Sequence, residues 1–132
     1  MRVSVNVLIA AGMALAAVPA LADKPAAPDA QLLARGKLIF MRCAACHSVA
    51  PGAPAKVGPN LNGVVGRPSA VMPGFNYSSA LKAAKLTWNE ATLDTWLRRP
   101  TGLVPGTSMV FAGLPSADDR KAVIAYLKKP AR

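Results

Sequence analysis

Acidic residues are scarce in this 132-residue chain: 6 Asp+Glu stand against 16 Lys+Arg, for a net charge of +10. Histidine occurs once and cysteine twice. A structural zinc site needs four ligands, which two cysteines and one histidine cannot supply. No parallel-strand pattern is visible either, so the βαβ context of a thioredoxin-like dithiol is missing. Internal repeats are absent, and the length supports one domain. With 12 Pro and 10 Gly the chain is rich in loops, and a domain of this size has a modest core of its own.

What the sequence does contain is concentrated in five residues, Cys43-Ala44-Ala45-Cys46-His47, which hold both cysteines and the histidine. Two residues between the thiols let one short helical turn present both sulfurs to the same porphyrin edge, and the next residue then lies under the iron. The run is the attachment pattern of a c-type haem, with Cys43 and Cys46 as thioethers and His47 as iron ligand. A disulfide is the rival in an exported chain, but it would close a very short loop and leave His47 without a task. A covalent haem also supplies the missing core, so the haem-free chain is expected to fold poorly.

The N-terminus reads as an export signal. Arg2 is basic, Val5 to Leu21 is almost wholly apolar, and Ala20-Leu21-Ala22 is an A-x-A-like cleavage site. Residues 1–22 are therefore expected to be a cleaved signal peptide, with the mature chain starting at Asp23 in the periplasm. The alternative is a retained anchor helix, for which the apolar stretch is near the lower limit of length. No cysteine follows that stretch to carry a lipid. Haem attachment outside the cytoplasm agrees with export. Losing Arg2 takes the charge from +10 to +9.

Residues 23–30 form a Pro-rich, flexible lead-in, and 31–132 form the domain. From Ala30 the pattern is helical, with Leu32, Gly36 and Phe40 at i, i+4 and i+8, and this helix runs into the Cys43 motif. Residues 48–67 are loop; Val64-Val65 between glycines makes a poor strand. A short helix is expected over 78–84. Thr87-x-x-Glu90 reads as a capping box opening a helix with Leu93, Trp96 and Leu97 on one face and Pro100 at its end. A second loop spans Thr101 to Leu114. Ser116 then caps a last helix with Asp118 and Asp119 in its first turn and Val123, Ile124 and Leu127 as its stripe. The fold class is all-α, with three main helices, one short helix and long loops.

In this order and spacing, Gly36-Lys37-x-x-Phe40, Cys43-x-x-Cys46-His47, Gly58-Pro59-Asn60-Leu61-x-Gly63, Gly66-Arg67, Phe75-x-Tyr77, Thr87-Trp88, Pro105-Gly106-Thr107-x-Met109-x-Phe111-x-Gly113 and Ile124-Ala-Tyr126-Leu127 resemble a class I monohaem cytochrome c of the mitochondrial type, in an exported bacterial version. The resemblance covers the whole mature chain. It implies a small cytochrome c fold wrapped around one covalent haem c, and it selects Met109 as the sixth ligand of the iron. A thioether favours ferrous iron, and no second histidine competes. Met72, in a Pro/Gly loop, is the other candidate; Met41 lies too close to Cys43, and Met1 and Met13 leave with the signal.

The resemblance further implies that the Pro59 carbonyl accepts the His47 ring N–H. Tyr77, Trp88 and Thr107 would donate to the haem propionates, and Arg67 would offset their charge. Leu61, Leu97, Val110 and Phe111 would wall the haem off from water. Trp96 stands where such relatives more often carry Tyr, which leaves open a hydrogen bond from that position to the Met sulfur.

The implied function is one-electron transport by a soluble periplasmic monomer, with both axial positions filled and no small-molecule substrate. A haem enzyme or ligand sensor, and a haem-bearing subunit of a larger dehydrogenase or oxidase, are the alternatives. The basic charge points to acidic docking surfaces on redox partners, since an exported protein has little access to nucleic acid. Arg42, Lys56, Arg98 and Arg99, with Lys128 and Lys129 more peripheral, are the candidate docking cations. The mass of protein isolated from its cell should correspond to a chain starting at Asp23; Met1 retained on membrane-bound protein would contradict the export reading.

Overall fold

The computed structural model describes residues 27–130. The expected signal peptide and most of the lead-in lie outside them. The described chain runs α1 (Pro28–Phe40), α2 (Ser79–Ala84), α3 (Glu90–Arg98), α4 (Pro100–Leu103) and α5 (Ala117–Lys128). Among the described residues there is no strand, only an isolated antiparallel bridge between Pro68 and Thr87. None of the described helices is long and apolar enough to cross a membrane.

α1 and α5 cross at Gly36, where a Cβ would stand 2.1 Å from the Ala122 carbonyl oxygen and 2.7 Å from Tyr126 Cβ. One turn later the Phe40 and Tyr126 rings lie 5.4 Å apart, so the two helices interlock on their apolar faces. α1 starts at Pro28, two residues before the hydrophobic periodicity begins, because proline with a fixed φ suits a first helical turn without needing an apolar partner. At its other end the winding continues as turns. Cys43 N–H and Ala44 N–H donate to Phe40 O, and Cys46 N–H and His47 N–H donate to Cys43 O, at 2.7 to 3.0 Å.

The entry to α3 differs from the expected capping box. Trp88 N–H donates to Arg67 O and Gly66 N–H to Trp88 O, which keeps Thr87 and Trp88 extended against the 66–69 segment. The helix therefore starts beyond them, capped by Asn89, whose Oδ1 accepts from Thr92 N–H at 2.8 Å. Pro100 ends α3 as expected, but it also opens α4, a single turn that follows an extended Arg99. Ser116 caps α5 by accepting from Asp119 N–H.

One buried charge links α3 to α5. Arg120 is 4% exposed; its Nε donates to Asp94 Oδ1 at 2.7 Å, and Nη1 donates to Leu114 O and Pro115 O. The hydrogen bond from Arg120 draws the Asp94 carboxyl below its ordinary value, outweighing partial burial, which pushes the other way. Stability from this pair is therefore present above the unfolded carboxylate value, about 3.9, and lost as pH falls through the lower folded value. At the surface Lys128–Glu90 also joins α5 to α3, and Arg35–Asp119 joins α1 to α5, where each contributes about 1 kcal/mol or less.

Gly36→Ala tests the crossing. Helix propensity would gain about 1 kcal/mol, but overpacking at a backbone carbonyl costs about 3 kcal/mol. The urea midpoint of the holoprotein should fall by the equivalent of about 2 kcal/mol; an unchanged or raised midpoint would mean the helices can part at no cost.

Candidate functional site

α1 and the turns that follow it deliver Cys43, Cys46 and His47 to one wall of a deep crevice between the 48–77 loops, α3 and the 104–114 segment. Cys43, Cys46, His47, Pro59 and Arg67 line it from one side, and Tyr77, Trp88, Thr107 and Met109 complete it, so all nine candidate residues meet in one space. The crevice opens to solvent along one edge, and its atom-free space, open mouth included, is about 1450 Å³. Behind them, Val64, Leu81, Leu93, Trp96, Leu97, Val123 and Leu127 supply an apolar wall.

His47 is fixed by the loop that passes over it. Its Nδ1 stands 2.8 Å from Pro59 O, and since a carbonyl only accepts, Nδ1 carries the proton and Nε2 is left with a lone pair. Gly58 lies against the ring: a Cβ there would come within 2.4 Å of Cε1. Gly58 N–H donates to Cys46 O and Leu61 N–H to Ser48 O, while Asn60 Nδ2 spans Ala50 O and Ala53 O at 2.8 Å each. Burial pushes the His47 pKa down, the Pro59 hydrogen bond opposes this, and Lys56 adds to it. The neutral imidazole is the form that ligates a metal. Burial also raises the Cys43 thiol against the pull of Arg42.

The propionate candidates differ in what they already bond. Arg67, which lines the crevice, reaches Asn60 O with Nη2 at 3.4 Å, but its Nε is buried with no hydrogen-bond partner. Tyr77 Oη accepts from Met72 N–H at 3.4 Å and keeps its own proton to donate. Thr107 Oγ1 accepts from Met109 N–H at 3.3 Å. Trp88 packs on Trp96 with ring centroids 5.2 Å apart. A macrocycle carrying two carboxylates fits this donor set, the apolar wall and the two thiols. Among the described residues no group of three or more His, Cys, Asp or Glu could hold a bare metal ion instead.

One expectation is revised here. Val110 does not wall the crevice from water; its side chain is fully exposed at the mouth, together with Val57 and Val71, because residues 108–113 run over the crevice edge with alternate side chains turned out. Lys56, a candidate docking cation, is exposed, and its ammonium donates to Ala44 O beside the haem motif. Sequence reasoning missed Met72 as a loop tie: its sulfur accepts from Asn60 N–H at 3.2 Å. It also missed Arg120, whose spacing within α5 gave no sign that it is buried.

A helical domain whose C-x-x-C-H turn faces a deep apolar crevice defines a covalent prosthetic-group protein. The chain belongs to the cytochrome c family, whose description, Cytochrome c, matches residues 33–130. It is 52% identical over 93 residues to a cytochrome c2 of Rhodomicrobium vannielii, covering 70% of this chain and 74% of that one. A cytochrome c2 of Rhodoblastus acidophilus is 47% identical over 102 residues, 77% of this chain and 91% of the relative. Among solved structures, cytochrome cH from Methylobacterium extorquens superposes with a TM-score of 0.69 at 42% identity, covering 73% of this chain and 96% of that one. As a family member the chain carries one covalently attached haem c and is an electron carrier, not an enzyme.

Gly58→Ala should displace the His47 ring from Pro59 O. The expected result is less covalently bound haem per polypeptide and a loss of about 2 kcal/mol in holoprotein stability. Haem content and urea midpoints equal to the parent would show that the ring has room to move.

Proposed function

We propose that this protein is a soluble periplasmic one-electron carrier whose haem is held by Cys43 and Cys46 thioethers and ligated by His47 and Met109. The observation that carries the reading is the convergence of all nine candidate residues on one crevice, with His47 anchored through Nδ1. When bound, the haem supplies a ferric/ferrous couple. The chain's part is to keep the imidazole neutral and oriented, to offer Arg67, Tyr77, Trp88 and Thr107 to the propionates, and to exclude water with the α3 and α5 side chains.

Met109 is favoured over Met72 by what each sulfur already does. Asn60 N–H engages the Met72 sulfur, whereas Met109 sits in a segment bridging α4 and α5 and its sulfur makes no hydrogen bond among the described residues. With His47 and Met109 both holding the iron, a substrate would have no open coordination site, which argues against enzyme and sensor readings. Residues 1–22 would direct export and be removed, leaving 31–132 as the working domain.

Docking is proposed at the crevice mouth. Val57, Val71 and Val110 are exposed there, and Arg42 lies over the Phe111 ring at 5.9 Å. Arg42 and Lys56 therefore put positive charge on the haem-motif side of an apolar rim, complementary to an acidic partner surface.

Two experiments test these assignments. Met109→Ala should abolish the far-red sulfur-to-ferric-iron band, lower the reduction potential and admit added ligands, while Met72→Ala should keep the band; the reverse pattern would reassign the ligand. Electron-transfer rates with an acidic partner should fall as salt rises to about 0.15 M, where the Debye length is about 8 Å. Arg42→Glu should slow transfer more than Lys121→Glu, and indifference to both salt and Arg42 would mean a purely apolar docking face.

A further inference from the structure

The segment that carries Met109 is held almost entirely at its ends. At its start, Val104 N–H donates to Pro100 O and Thr107 N–H to Val104 O. Between 108 and 113, among the described residues, the only backbone hydrogen bond is that of Met109 N–H to Thr107 Oγ1. Its far end is pinned three times. Leu114 N–H donates to Leu97 O at 2.7 Å; Gly113, at φ +106°, packs so closely that a Cβ would meet Arg98 O at 2.1 Å; and Arg120 Nη1 binds the carbonyls of Leu114 and Pro115 at 2.8 and 2.7 Å. Arg120 is in turn held by Asp94 of α3 at 2.7 Å.

We infer that Asp94 and Arg120 are positioning residues for the sixth ligand: the α3 carboxylate orients the buried guanidinium, which fixes the strap's end and keeps the Met109 thioether at the haem. The inference rests on the proposed ligation by Met109. Neither residue lines the crevice, so neither acts on the haem directly. Fixing both ends of a short strap raises the effective concentration of the thioether between them. A strap freed at one end yields more readily to a competing ligand.

The test is imidazole titration of the ferric holoprotein at neutral pH. Asp94→Asn removes the negative charge from both hydrogen bonds that Asp94 accepts, from Arg120 and from Arg98, and imidazole affinity should rise about tenfold, with haem content and helical circular dichroism unchanged. Arg98→Gln, which removes only the exposed partner of Asp94, should leave affinity within about twofold. In a Met109→Ala background, Asp94→Asn should no longer change it by more than about twofold. Should Asp94→Asn yield too little holoprotein, Arg120→Lys is titrated in its place, with a rise again expected. Unchanged affinity in the single variants, or an equal rise without Met109, overturns the inference. A far-red band that survives Met109→Ala instead overturns the ligand assignment and leaves the clamp without its object.

Discussion

The close approach of α1 to α5 at Gly36 is the constraint on which the rest depends. Only a residue without a Cβ lets the Ala122 carbonyl and the Tyr126 side chain come this near. The crossing sets where Phe40 lies, and the turns that begin at the Phe40 carbonyl set where Cys43, Cys46 and His47 lie. A covalent cofactor needs its attachment points held on a rigid element, because both thioethers and the imidazole must reach one planar group at once.

Around that frame, most of the chain is loop, and its backbone polar groups need partners other than helices and sheets. Asn60 and Asn62 supply them in the 48–62 region by spanning the Val49, Ala50 and Ala53 carbonyls. The exchange between the 66–69 segment and residues 86–88 does so next to Trp88. On the opposite side Arg120 serves two carbonyls and one carboxylate from a buried position. A buried guanidinium is tolerable only when its donors are used, and here they are used to join α3, α5 and the end of the Met109 segment.

The site's electrostatics follow from the same arrangement. Desolvation pushes the His47 pKa down, favouring the neutral ring, and the Cys43 thiol up. Arg67, which lines the crevice, has a buried Nε with no hydrogen-bond partner. Positive charge at the mouth is anchored rather than free, with Arg42 over Phe111 and Lys56 on Ala44 O, so the rim combines exposed valines with oriented cations.

The helices other than the single turn α4, their order, the haem attachment run and the family were legible in the sequence because each rests on local chemistry. Thiol spacing, proline and glycine punctuation, caps such as Ser116 and apolar periodicity all act within a few residues. Tertiary structure alone decided that Thr87 would be drawn into a bridge, leaving Asn89 to cap α3; that Val110 would face solvent; that the Met72 sulfur would meet Asn60 N–H; and that Arg120 would be buried against Asp94. Each of these joins residues that are distant in the chain or depends on which side of a loop faces the crevice. No local pattern encodes such pairings, because they exist only once the packing of the helices has brought the loops together.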